Sequence, residues 1–187
     1  MGLIRAQINR IARALMFIRV CYILVIIVCA SILFPVIGLA QVSSESLLRY
    51  YGFRVYTVKL EVPALGVDPL TDVKKTMSLS YHRSFSAQDI IKGERKILAA
   101  TKSVDLAGLT SRLDQIDAAY KDVIEGDRYT LAYTPGVGTT LLLNDVALVT
   151  IPGADFARAY YAMWLGAENP ISSGLRERLL EGIGVRA

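Results

Sequence analysis

From Tyr50 to Val62 polar and apolar residues alternate, with Arg54, Tyr56, Val58, Leu60 and Val62 on one side and Phe53, Val55, Thr57, Lys59 and Glu61 on the other. A period of two carried by β-branched and aromatic residues predicts a strand, and Pro63 with the turn-like Ala64–Pro69 closes it. Met77–Arg83 repeats the pattern, with Met77, Leu79 and Tyr81 opposite Ser78, Ser80 and His82. The period then changes. Ser86 opens a helix with Asp89 three residues on, close to a capping box. Leu106, Leu109, Leu113, Ile116, Tyr120 and Val123 follow at spacings of three and four, predicting a second helix from about Asp105 to Ile124 that Gly126 ends.

Alternation returns at Arg128–Thr134, where Tyr129, Leu131 and Tyr133 share a side. Pro135-Gly136-Val137-Gly138 reads as a turn, Thr139–Leu143 as a strand, Asn144-Asp145 as a hairpin turn and Val146–Ile151 as the returning strand. Asp155 begins a helix lined by Phe156, Ala159, Tyr160, Met163 and Trp164, and Gly166 stops it. Ser172 or Ser173 caps a last helix carrying Leu175, Leu179 and Leu180. Strands, two helices, three strands and two helices make an α+β protein: an antiparallel sheet with helices packed on it.

What precedes this pattern is of another kind. Val20–Ala40 is an uncharged apolar run, long enough as a helix to cross the roughly 30 Å hydrocarbon core of a bilayer. Arg5, Arg10, Arg13 and Arg19 come before it with no acidic residue, the asymmetry that keeps an N-terminus cytoplasmic. Gly38-Leu39-Ala40 also offers the small residues a signal peptidase needs. Residues 1–40 are therefore a signal peptide or a single-pass membrane anchor, 41–49 a polar linker, and 50–187 an exported domain. That domain is expected in the periplasm, free or held at the inner membrane.

Charge and cysteine usage narrow the partners. The four arginines account for the whole formal net charge of +4, so the domain itself is neutral and gives no reason to expect nucleic acid. Cys21 and Cys29 both lie in the apolar run, leaving the domain without thiol or disulfide chemistry, and a single histidine cannot build a usual zinc site. No cofactor, nucleotide or metal is expected. The Pro135–Gly138 turn lies between strands and lacks the helix entry of a phosphate loop.

The segment GDRYTLAYTPGVGTTLLLNDVALVTIPGADFARAYYAMWLG resembles the C-terminal half of the chalcone isomerase-like family: a GD-strand, a P-G-x-G turn, an N-x hairpin and a D-F-A helix ending in W-L-G. GFRVYTVKLEV and MSLSYHRSFSAQDI resemble its earlier strands in order and spacing. The resemblance covers about Leu47–Gly182 and is closest to the exported bacterial branch. It implies an open-faced β-sandwich with a layer of helices over one sheet face and, between them, a cleft for a flat or elongated apolar ligand. In the plant enzymes that cleft closes a chalcone to a flavanone; in other relatives it holds a fatty acid without catalysis. The nearest counterparts of the plant arginine are Arg49 and Arg54, outside its G-V-R-G motif, and Tyr120 matches the plant tyrosine by position alone. The resemblance therefore assigns no catalytic residue here.

The candidate ligand contacts are Arg54 and Tyr56 on the first predicted strand and Tyr81 and Arg83 on the second, two guanidinium groups and two phenols able to clamp an oxyanion at one end of an apolar slot. The alternative is arginines at strand ends in solvent and tyrosines packed in the core. His82 should face away from Tyr81. Trp164, Tyr160 and Tyr161 either roof a cleft or dock their helix on the sheet. Asp114 and Asp117 read as solvated charges. The leading reading is a non-catalytic domain that binds a small hydrophobic or amphipathic ligand outside the cytoplasm. The alternatives are an intramolecular lyase stabilising an enolate-like anion and a membrane-anchored interaction subunit with a protein partner.

Overall fold

The structure is a computed structural model that describes residues 41–186. The expected hydrophobic helix and cleavage site at residues 1–40 lie outside them. Among the described residues, no helix is long and apolar enough to cross a membrane.

Six strands form one antiparallel meander in the order β1-β2-β3-β4-β5-β6: β1 Val42–Tyr50, β2 Phe53–Val62, β3 Lys75–Tyr81, β4 Arg128–Thr134, β5 Gly138–Leu143 and β6 Val146–Ile151. Helices α1 Ala87–Ala100 and α2 Leu106–Ala119 are inserted between β3 and β4; α3 Ala154–Leu165 and α4 Ser173–Gly182 follow β6. The predicted α+β, antiparallel architecture is the one observed.

Alternation decides which face is covered. Val58, Leu60, Val62, Met77, Leu79, Leu131 and Leu141 are buried on one face, whereas Thr57, Lys59, Ser78, Ser80 and Thr130 on the other remain exposed or half-buried. The helices supply the other half of the core, and α3 is its centre, with Phe156, Ala157, Tyr160, Tyr161, Met163, Trp164 and Leu165 all buried. Tyr161 donates its hydroxyl hydrogen to the Leu131 carbonyl at 2.7 Å, fixing α3 to the middle of the sheet. Burying that phenol without a partner would cost ~1–3 kcal/mol.

Three sequence expectations are corrected. The stretch 41–49 is no linker: Val42–Tyr50 is a full strand paired with β2 from Val42↔Val62 to Tyr50↔Phe53. Its inward positions include Ser44 and Ser46, which hid the apolar alternation. Ser44 donates to the Leu179 carbonyl at 2.7 Å and Ser46 accepts from Arg178 at 2.7 Å. Small residues are needed here because α4 comes close: a Cβ on Gly182 would sit 2.4 Å from that of Ser44.

The second correction is to α2, which ends at Ala119 and not near Ile124. Tyr120 turns into extended backbone, and Val123 then pairs with Phe85 as an isolated bridge. The third concerns β2. Between Leu48↔Tyr56 and Arg49↔Arg54 the register shifts, leaving Val55 as an extra residue. A bulge of this kind reverses alternation beyond it.

Candidate functional site

Between α1 and the β1–β3 end of the sheet lies a cavity of about 760 Å³, open to solvent and within the usual range for a small-molecule pocket. Its floor is Leu48, Val55, Tyr56, Leu79 and Tyr81; its walls include Ile90, Ile97, Met163 and Trp164. Arg49, Arg83, Lys96 and Asp89 stand around it. Gly93, midway along α1, also faces this space, and a Cβ there would meet nothing within 4 Å. Glycine in a helix interior costs ~1 kcal/mol relative to alanine, so the cavity is kept open at some expense to the helix.

Within this apolar space the polar groups are few and placed. Tyr56 lies opposite Tyr81 on the neighbouring strand, rings 5.6 Å apart and edge to face. The Trp164 indole N–H donates to the Tyr56 hydroxyl at 3.0 Å, tying the α3 wall to the floor. The Tyr81 side chain is buried and its ring lines the cavity, whereas the buried side-chain atom left without a hydrogen-bond partner among the described residues is Thr139 Oγ1 on β5. Burial pushes the Tyr81 pKa well above the ordinary phenol value, so the phenol remains an O–H donor.

Glu94 also lines the cavity. Tyr160 donates to one carboxyl oxygen at 2.5 Å and Tyr120 to the other at 2.8 Å, and the two phenol oxygens are 2.9 Å apart. Burial outweighs these hydrogen bonds and raises the Glu94 pKa from 4.5 to about 7. The cavity therefore carries a carboxyl whose charge changes near neutrality, held by two phenols that burial keeps protonated.

Of the four residues singled out by sequence, Tyr56, Tyr81 and Arg83 line this cavity and Arg54 does not. The bulge at Val55 turns Arg54 to the open sheet face, where its guanidinium is 3.4 Å from His82 Nε2. His82 faces away from Tyr81 as expected and sits 2.7 Å from the Thr57 hydroxyl. Arg49 lines the cavity instead. Trp164 does roof the cleft, while Tyr161 packs under the helix. Asp114 is solvated as expected, 66% exposed while 2.7 Å from Arg95, whereas Asp117, 2.8 Å from the same guanidinium, is mostly buried.

Glu94 was missed, although a signal for it exists. Ile90, Ile97 and Leu98 mark the inward face of α1, and Glu94 stands four residues after Ile90 on that same face. A lone charge within an apolar stripe is a candidate site residue.

A second groove of about 900 Å³ runs past Asp68, Asp72, Asp105, Asp155 and Glu168. These carboxylates hold the chain together. Asp68 accepts from the Leu70 N–H, Asp72 from Tyr133, Asp105 from Gly108 at the start of α2, Asp155 from Arg112, and Glu168 from the Lys102 N–H. The α1 cavity, with a phenol in a mostly apolar lining, is the candidate site.

Comparison with known proteins agrees with this geometry. A family model described as chalcone isomerase-like matches residues 51–181. Among solved structures, a fatty-acid binding protein of Arabidopsis thaliana superposes with a TM-score of 0.58 at 12% identity, covering 78% of this chain and 87% of that one. At that identity the likeness is one of fold. No curated protein matches the sequence.

Proposed function

This chain belongs to the chalcone isomerase-like family, and from that premise we propose that it binds one small hydrophobic or amphipathic molecule, such as a fatty acid, in the α1 cavity without transforming it. The observation that carries this reading is an open, largely apolar cavity lined by the Tyr81 phenol, with Arg83 and Arg49 around it. An acyl or ring portion is accommodated against Leu48, Val55, Leu79, Ile90 and Met163, and an acidic or hydroxylated end meets the Tyr81 O–H or a guanidinium. The solved structure of similar fold, a fatty-acid binding protein, supports the same class of ligand.

Native mass spectrometry of gently purified protein tests it: a retained amphiphile is expected in the wild type. Gly93→Phe projects a ring into the cavity, where a Cβ is unopposed, and should abolish retention while leaving thermal stability unchanged or higher. Retention unaffected by this filling would place the ligand elsewhere and overturn the reading.

One observation favours a second reading. Glu94, with a pKa raised to about 7, is suited to move a proton at neutral pH. In an intramolecular lyase it would act as the acid–base group, with the Tyr81 hydroxyl stabilising an enolate-like oxygen. Turnover of 2′-hydroxychalcone that Glu94→Gln removes would establish that reading; no turnover across a flavonoid panel would eliminate it.

The site of action we propose is outside the cytoplasm, in the exported bacterial branch of the family. The support is the Arg5–Arg19 cluster followed by the apolar Val20–Ala40 run.

A further inference from the structure

We propose that the tip of the β1–β2 hairpin is a docking surface for an anionic lipid bilayer, which it meets with three aromatic rings and three arginines beside the cavity. Tyr50, Tyr51 and Phe53 are 68%, 85% and 66% exposed. The other large exposed apolar residues among those described stand singly, Leu65, Ile124 and Val137 in three different loops and Val146 at the start of β6. Scattered apolar residues need no explanation; three rings at one hairpin tip, on Tyr51 of the turn and on the flanking Tyr50 and Phe53, do.

Folding does not account for them. The turn has positive φ at both central residues, 47° at Tyr51 and 83° at Gly52, the conformation of a tight two-residue hairpin turn. Asparagine, aspartate or glycine suits the first of these positions, and an aromatic residue is disfavoured there. Tyr51 occupies a strained position and packs mainly against Tyr50, ring centres 4.6 Å apart, with most of its surface in solvent.

The charges specify the partner. Arg49, Arg54 and Arg83 surround the same tip, and among the described residues none has a carboxylate within 4.0 Å. Arg83 lies 5.8 Å over the Phe53 ring and 5.6 Å over that of Phe85, so cation and aromatic surface form one patch. Asp89, which lines the cavity, is engaged by the Ser86 hydroxyl at 2.6 Å. Amphipathic rings with adjacent uncompensated cations match the interface of a membrane whose headgroups are negative.

Position links this surface to the cavity. Arg49, Tyr50 and Arg83 belong both to the tip and to the cavity lining. A tip seated among headgroups brings the opening of an apolar cavity to the place where amphiphiles reside. Docking goes beyond ligand binding and does not depend on it.

Quenching of a tryptophan placed at the tip tests the proposal locally, however else the full chain associates with lipid. Tyr51→Trp in the full-length protein is mixed with brominated phosphatidylcholine vesicles, with and without phosphatidylglycerol, in the absence of free fatty acid, and the quenching of the parent protein, whose one tryptophan is Trp164, is subtracted. Several-fold stronger quenching is expected with phosphatidylglycerol, reversed at high salt because the attraction is screened. Arg54→Glu in the same background should reduce it to the neutral-vesicle level. Arg54 lies outside the cavity, so ligand retention by mass spectrometry should be unchanged, and failure of docking and failure of ligand binding are thereby told apart. Equal quenching on neutral and acidic vesicles, or none on either, would overturn the proposal. So would lipid-free self-association that Phe53→Ser abolishes, since the patch would then serve a second copy of the chain.

Discussion

Trp164→Ala is expected to lower the stability of the domain by about 3–5 kcal/mol, the usual cost of deleting a large buried aromatic side chain. Trp164 is buried at the junction of α3 and the sheet, and its removal takes away three things at once. The apolar surface of the indole is lost, a void is left, and the Tyr56 hydroxyl loses the donor now 3.0 Å away. The space it leaves would merge with the cavity that Trp164 already borders. For a domain of this size the melting temperature should fall by roughly 10 °C. Trp164→Phe keeps most of the packing and should cost less than half as much. Thermal and urea denaturation measure both variants, and equal losses would show that the hydrogen bond, not the packed ring, dominates.

Glu94→Gln should act in the opposite direction and only above mildly acidic pH. In the unfolded chain Glu94 titrates near 4.5, and in the fold near 7. Below the lower value it is neutral in both states and stability does not depend on it. Between the two the unfolded chain releases a proton that the folded chain retains, so stability falls as pH rises. Above 7 the loss is complete, on the order of 3 kcal/mol. Glutamine at this position can accept from one phenol and donate to the other, keeping the Tyr120 and Tyr160 contacts without the charge. The variant should therefore match the wild type at pH 4 and exceed it by about 2–3 kcal/mol at pH 8. Other groups, such as Asp155 held low by Arg112, titrate alike in both proteins and cancel. Parallel urea midpoints for the two proteins across this range would show that the carboxyl is not held neutral by burial.

A stabilising loss of a polar group is a mark of a site retained for something other than folding. Gly93 and Tyr51 have the same character. Gly93 weakens a helix in order to leave space over the cavity, and Tyr51 occupies a turn position that disfavours it.

Much of the molecule was legible from residue order. Period-two stretches located β2 through β6, because each strand has one face in the core and one exposed, and that asymmetry is written in alternate residues. Stripes at three and four marked α2 and α3 for the same reason. β1 was not legible: its inward positions Ser44 and Ser46 are polar, satisfied by Leu179 and Arg178, more than 130 positions away. The end of α2 was also obscured, since Tyr120 and Val123 continue its apolar spacing while serving a hydrogen bond and a bridge outside the helix.

The sequence by itself determined the fold class and the family resemblance, both consequences of local periodicity and motif order, while the register that sets Tyr56 opposite Tyr81 belongs to the sheet. Only the tertiary structure decided which cation serves the cavity. One extra residue at Val55 sends Arg54 to the opposite face and leaves Arg49 and Arg83 at the opening, and alternation counted along a strand cannot register a bulge that exists only relative to its partner. The tertiary structure likewise made Glu94 a titratable group near neutrality. Its shift arises from burial beside Tyr120 and Tyr160, which lie 26 and 66 positions away, and no local pattern encodes that enclosure.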